Sequence, residues 1–234
     1  MAPREKDDTR VTMVTHPADD DATFRVFDPD TRLLVRLAGV VAAGSEEAMR
    51  THIAAARHLP PVWVDEVLLQ SYLFAGFPRT LNALREWRRI GGHPAPARDD
   101  DAADPANATM WRARGEVTCA QVYGAMYDKL RDNVAALHPA IDAWMVTDGY
   151  GKLLARPGLD LPRRELCVVA ACALARQDRQ LHSHFHGALN VGASPADVSA
   201  TLAALDDLLD ADSRTRYRLL WARVRSAHAT GSTS

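Results

Sequence analysis

The residues best suited to chemistry lie in one stretch, RRELCVVAACALARQDRQLHSHFHGALNVGASPADV, residues 163–198. Glu165 stands near the start of an otherwise apolar run. On a helix its face continues through Val168, Val169 and Cys172, three, four and seven residues on. A carboxylate on that stripe is partly desolvated, which suits it to proton transfer near neutral pH. The competing reading is a first-turn Glu held by the helix dipole and facing water. Downstream lie His182, His184 and His186. His182 and His186 share a helical face at i and i+4, whereas His184 points away from both. The spacing does not set all three on one metal. His182 and His186 could supply two ligands, but no obvious third stands nearby, so no metal is expected. Taken singly, each histidine also reads as a surface or core residue with a satisfied hydrogen bond.

These side chains need helices to carry them. Apolar residues recur at three- and four-residue spacing over Leu33–Ala43, Ser45–Leu59, Val62–Ala75 and Arg79–Ile90, with Gly or Pro at the breaks. The second half offers Glu116–Leu137, Ala140–Leu154, Arg163–Ala175, Arg179–Val191, Pro195–Leu209 and Arg214–Ala227. One start is well marked: Ser194 as N-cap, Pro195 at the first helical position and Asp197 three residues after the cap. No stretch alternates polar and apolar residues long enough to make a sheet. The expected class is all-α.

Residues 91–109, GGHPAPARDDDAADPANAT, are rich in Gly, Pro, Ala and Asp and read as a linker or long loop. The expected organisation is a flexible segment 1–27, a first unit 28–90, the linker 91–109, a second unit 110–228 and a flexible tail 229–234. The two units resemble each other. With Arg32-Leu33-Leu34-Val35 set against Arg164-Glu165-Leu166-Cys167, the following apolar helices align without a gap and His52 falls opposite His184. This is the pattern of a diverged duplication, two helical units sharing one core.

Composition narrows the function classes. The 234 residues are 47% hydrophobic and 25% charged with a net charge of −2, an ordinary globular mix with no basic field for nucleic acid or an anionic membrane. The acidic start MAPREKDDTRVTMVTHPADDD lacks the apolar core of a signal peptide, and the longest apolar run, Leu166–Ala175, is too short to span a bilayer. Three cysteines, Cys119, Cys167 and Cys172, show no CxxC or zinc-type spacing. A cytoplasmic protein with reduced thiols is the expectation.

The string RPGLDLPRREL, the apolar helix after it, QLHSHFHGALNVGAS and the acidic helix that follows closely resemble the core of the carboxymuconolactone decarboxylase family, which belongs with the alkylhydroperoxidase D-like proteins. The family pattern opens one helix with an Arg-Glu pair and places a His on the next helix, eight residues before a Gly. Here these are Arg164-Glu165, His184 and Gly192. The upstream AWMVTDGYGKLLARPGLD is similar to the family's lead-in helix. In the first half, DEVLLQSYLFAGFPRTLNAL, residues 65–84, resembles the segment that normally follows the His helix. The resemblance implies an alkylhydroperoxidase D-like helical bundle, a homo-oligomer, and a cofactor-free reaction on a small carboxylated or lactone-type substrate. Glu165 is then the general acid or base, with His184 relaying the proton or donating to a developing oxyanion.

Two departures shape that expectation. Peroxidatic relatives carry cysteines seven and four residues before the His, where this chain has Gln177 and Gln180, so disulfide-based peroxide reduction lacks its nucleophile. The first unit has Leu33 where the second has Glu165, leaving His52 without a carboxylate, yet it alone keeps YLFAGFP. One composite site per chain follows, with Glu165 and His184 from the second unit and Tyr72, Phe77 and Pro78 from the first. In the competing reading, the first unit is a packing scaffold and YLFAGFP is core. Arg164 is expected either to bind a substrate carboxylate or to form a structural ion pair. His182, Trp144 and Tyr150 are further candidates for lining the pocket. Other isomerase or hydrolase chemistry on the same pair, or a non-catalytic binding role, stays open at this level.

Overall fold

Asp28, Ser45, Asp160 and Ser194 each accept a hydrogen bond from a backbone N–H three residues on, and each opens a helix. The computed structural model describes residues 26–99, 101 and 104–231. Among these there is no strand, so the chain is all-α as its periodicity implies. The expected flexible ends, 1–27 and 229–234, fall largely outside the described residues.

The helices are α1 (Pro29–Ala43), α2 (Glu46–Ala55), α3 (Pro61–Gln70), α4 (Tyr72–Gly91), α5 (Ala108–Tyr123), α6 (Tyr127–Leu137) and α7 (Pro139–Trp144). A π-helix, Met145–Leu154, continues from α7. After it come α8 (Leu161–Leu174), α9 (Asp178–Asn190), α10 (Pro195–Ala204) and α11 (Ala211–Gly231). The marked N-terminus at Ser194 is a full capping box: Ser194 Oγ accepts from the Asp197 N–H, and an Asp197 carboxylate oxygen accepts from the Ser194 N–H.

Three helical expectations need correction. The run Val62–Ala75 is divided at Ser71, between α3 and α4. The run Glu116–Leu137 is not one helix, because Gly124 takes φ 52°, ψ −131° and divides α5 from α6; α5 also begins at Ala108, inside the expected linker. The run Ala140–Leu154 is not uniform α-helix, since its second part is the π-helix. That segment is pressed against α5 where a Cβ on Gly115 or Gly151 would overlap backbone of the facing helix, the Val146 and Trp111 carbonyls respectively. Only residues without a side chain allow that approach. It brings Tyr123 of α5 and Tyr150 of the π-helix together, with ring centroids 6.0 Å apart.

The core centres on α1 packed along α8, and α9 packs on both α8 and α5. From Arg163 to Ala173 every residue of α8 is buried, so no face of that helix meets water. α8 begins 132 residues after α1, and α9 132 residues after α2, the spacing that relates His52 to His184.

Candidate active site

Glu165 lies in the first turn of α8 and is 0% exposed. His184 projects from the second turn of α9. Its Nδ1 lies 2.8 Å from Glu165 Oε2. A carboxylate only accepts, so Nδ1 carries the proton and donates, leaving Nε2 as the free ring nitrogen. The close approach of α9 to α8 needs Gly187, one turn beyond His184: a Cβ there would lie 2.7 Å from Glu165 Oε2 and 2.8 Å from Val122 Cγ1. The other carboxylate oxygen, Oε1, is buried without a hydrogen-bond partner among the described residues. The water-facing reading of Glu165 is therefore wrong. The apolar stripe it sits on is fully internal.

His184 forms part of the wall of a cavity of about 810 Å³ between α4 and the π-helix. Glu165 does not line it and stands behind the imidazole. Of the pair, only His184 is placed where it could touch a molecule in the cavity. Tyr72, Phe77, Trp144 and Tyr150 line the same cavity, so side chains from both units surround one space. YLFAGFP is core only in part: Leu73, Phe74 and Ala75 pack against the core, whereas Phe77 is 64% exposed and its ring packs on Tyr72 with centroids 4.5 Å apart. The segment is held open by Gly76, whose φ of 70° and ψ of 173° interrupt α4.

Three expected residues are placed elsewhere. Pro78 is exposed and outside the lining. His182 is exposed and lines a separate surface depression with Arg179, Arg216 and Arg223; its ring meets His186 edge-on with centroids 5.1 Å apart. Among the described residues no group of three potential ligands surrounds a metal-sized space. Arg164 is 1% exposed and engaged entirely within the protein. It donates to Glu66 Oε2 at 2.8 Å and to the carbonyls of Leu159 and Arg156. Glu66 in turn takes Arg156, which also reaches Asp99 at 2.8 Å. Of its two expected roles Arg164 fills the structural one, because a guanidinium so enclosed has no fork left for a substrate carboxylate.

The sequence reading missed Tyr123, Asp148 and Lys152. Tyr123 lines the cavity with its ring centroid 6.3 Å from that of His184. Burial pushes its hydroxyl up to about 12, with the Glu165 charge adding to the effect. The enclosed Tyr150 is also raised well above the usual phenol range by burial. Both remain O–H donors at neutral pH. No motif announced Tyr123, whereas Asp148 and Lys152 sat inside the family-like lead-in segment beside the two residues that were chosen. Burial also raises all three thiols, Cys119 and Cys172 to about 12 and Cys167 further. None offers the thiolate that peroxide chemistry needs.

Residues 142–223 match the profile of the carboxymuconolactone decarboxylase family. The matched stretch lies in the second half of the chain. The match spans the π-helix, Glu165, His184 and most of α11. The chain is also similar to Peroxisomal protein 2 of Schizosaccharomyces pombe (strain 972 / ATCC 24843), with 31% identity over 144 residues. That alignment covers 60% of this chain and 66% of the relative, so the chain spans somewhat less than two thirds of the relative's length. Among the described residues no helix is long and apolar enough to cross a membrane.

Proposed function

We propose that the protein is a cofactor-free enzyme of the carboxymuconolactone decarboxylase type, catalysing proton transfer at carbon beside a carbonyl, with decarboxylation as the main reaction. The observation that carries this reading is the 2.8 Å bond from His184 Nδ1 to the fully buried Glu165, with the imidazole on the cavity wall. A buried carboxylate fixes the tautomer and ring orientation of a histidine and stabilises its protonated form.

In the reaction the substrate carboxylate leaves as CO2, and the electron pair of the broken C–C bond enters the neighbouring ketone or lactone carbonyl as an enolate. The imidazolium Nε2–H then gives its proton to the carbon, and the carbonyl re-forms. The Tyr123 phenol, which accepts a hydrogen bond from Tyr150, donates to the enolate oxygen, where an O–H aimed at developing charge is most effective. Run without loss of CO2, the same groups exchange or shift the proton next to a carbonyl. Both units contribute to the wall, which supports one composite site per chain.

The test incubates the purified chain in deuterated water with a panel of 3-keto acids and lactone carboxylates, following CO2 release and deuterium at the α-carbon. General acid–base groups contribute about 10²–10⁴-fold, so His184→Gln should lose that factor, and Glu165→Gln a large part of it, with the fold intact by circular dichroism. Turnover that survives unchanged in His184→Gln would sink the reading.

A further inference from the structure

The cavity's lining is mostly hydrocarbon. Leu73, Phe77, Leu81 and Leu84 of α4 face Met145 and Leu153 of the π-helix across it. A small, heavily oxygenated acid would set its hydroxyls against these walls, and each polar group without a partner costs binding energy. Such a lining selects a molecule with an apolar body.

The charged residues in the lining are Asp99, Asp148, Lys152 and Arg156. Arg156 is paired with Glu66 at 3.0 Å and Asp99 at 2.8 Å. Lys152 is not. Its ammonium lies 4.6 Å from the Trp111 ring centroid and forms no ion pair with a described residue. The aromatic face orients the ammonium without neutralising it. Asp148, four residues earlier on the same helix, also lines the cavity and forms no ion pair with a described residue.

We propose that the site takes a lipophilic monocarboxylate, its hydrocarbon body against the α4 and π-helix walls and its carboxylate on Lys152. The proposal rests on this cavity being the substrate site and specifies the substrate class. In a keto acid the carboxylate held by Lys152 is the one lost as CO2, beside the carbonyl on which His184 works.

The experiment measures binding to the full chain by isothermal titration calorimetry with octanoate, octanamide and octanedioate. Octanoate should bind about tenfold more tightly than either of the others, the scale of one partly desolvated charge-assisted contact. Lys152→Met should remove that advantage and leave octanamide unchanged. Equal affinity for octanoate and octanamide, tighter binding of octanedioate, indifference to Lys152→Met, or no binding of octanoate would each overturn the proposal. Octanoate binding as expected without turnover of any keto acid would leave the ligand class standing and remove the proposed reaction. Turnover of polar lactone acids without octanoate binding would do the reverse.

Discussion

Replacing Gly187 with Ala tests the helix contact that makes the Glu165–His184 pair. The added Cβ would lie 2.7 Å from Glu165 Oε2, 2.8 Å from Val122 Cγ1 and 3.6 Å from Glu165 Cδ. Non-bonded carbon atoms settle at about 3.5–4.0 Å, so either the carboxylate or α9 must move by roughly 0.7–1 Å. The carboxylate has little room behind it, since its whole helix is buried. A shift of that size takes the 2.8 Å contact with His184 Nδ1 toward about 3.5 Å, where a hydrogen bond is lost. Overpacking of this kind costs about 1–3 kcal/mol. For a chain of this length each kcal/mol is worth roughly 2–4 °C, so the melting temperature should fall by about 2–12 °C. Circular dichroism reads that, and long-range ¹H–¹⁵N spectra read whether His184 still holds its proton on Nδ1. In a Glu165→Ala background half of the clash is absent, so Gly187→Ala should cost about 0.5–1.5 kcal/mol less there than in the wild type. Strict additivity of the two substitutions, or a Gly187→Ala protein that melts with the wild type, would refute the close-contact argument.

Other consequences can be checked with the same protein. Glu66→Ala should destabilise by about 3–5 kcal/mol, because it strands the buried Arg164 guanidinium, while Arg156 keeps Asp99; an unchanged melting temperature would mean the network carries no weight. Tyr123, raised to about 12 when folded, stabilises the fold fully below its unfolded value near 10, and that contribution disappears as pH rises toward 12. Absorbance at 295 nm should accordingly show Tyr123 and Tyr150 still un-ionised at pH 10.5 and released together on alkaline unfolding, one phenolate fewer in Tyr123→Phe. A single smooth titration of all five tyrosines near pH 10 would contradict this. Alkylating reagents should leave Cys119, Cys167 and Cys172 unmodified in the folded chain and label all three in denaturant, since each is buried and held as a thiol.

What the sequence disclosed follows from which interactions are local. The capping box at Ser194 is written within four residues, so it could be read directly. The burial of Glu165 was half-visible: periodicity placed it on an apolar stripe, but only the packing of α1 and α9 on α8 makes that stripe internal. The breaks were harder. Gly124 sits inside a good helical pattern, and a glycine there reads as tolerable until its φ is known. The π-helix depends on the close crossing with α5, which no local pattern encodes. Arg164 was hard to assign because its partner Glu66 lies 98 residues away, in the other unit. Tyr123 was missed for the same reason, since its relation to His184 exists only once α5 and α9 are packed.

The composite site proposed above rests on a difference between residues 28–90 and 110–228, the two units the sequence pattern suggests. In the first unit the residue opposite Glu165 is Leu33, and His52 Nδ1 settles on the Ala48 carbonyl of its own helix at 2.8 Å. A half-buried histidine bound to backbone in that way has no carboxylate on its Nδ1. The sequence that follows it, from α3 into α4, still carries the aromatic and aliphatic side chains that would cover such a site. Those side chains wall the cavity reached by His184 of the second unit. After His184 the second unit needs no such segment, and its chain continues instead as α10 and α11 against the outer side of α8 and α9. On this reading each unit supplies what the other lacks. Truncation to residues 110–228 should then leave Glu165 beside His184 but remove the α4 wall. Octanoate binding should be lost even if the fragment folds, whereas a fragment that bound octanoate as the full chain does would show that the first unit is dispensable.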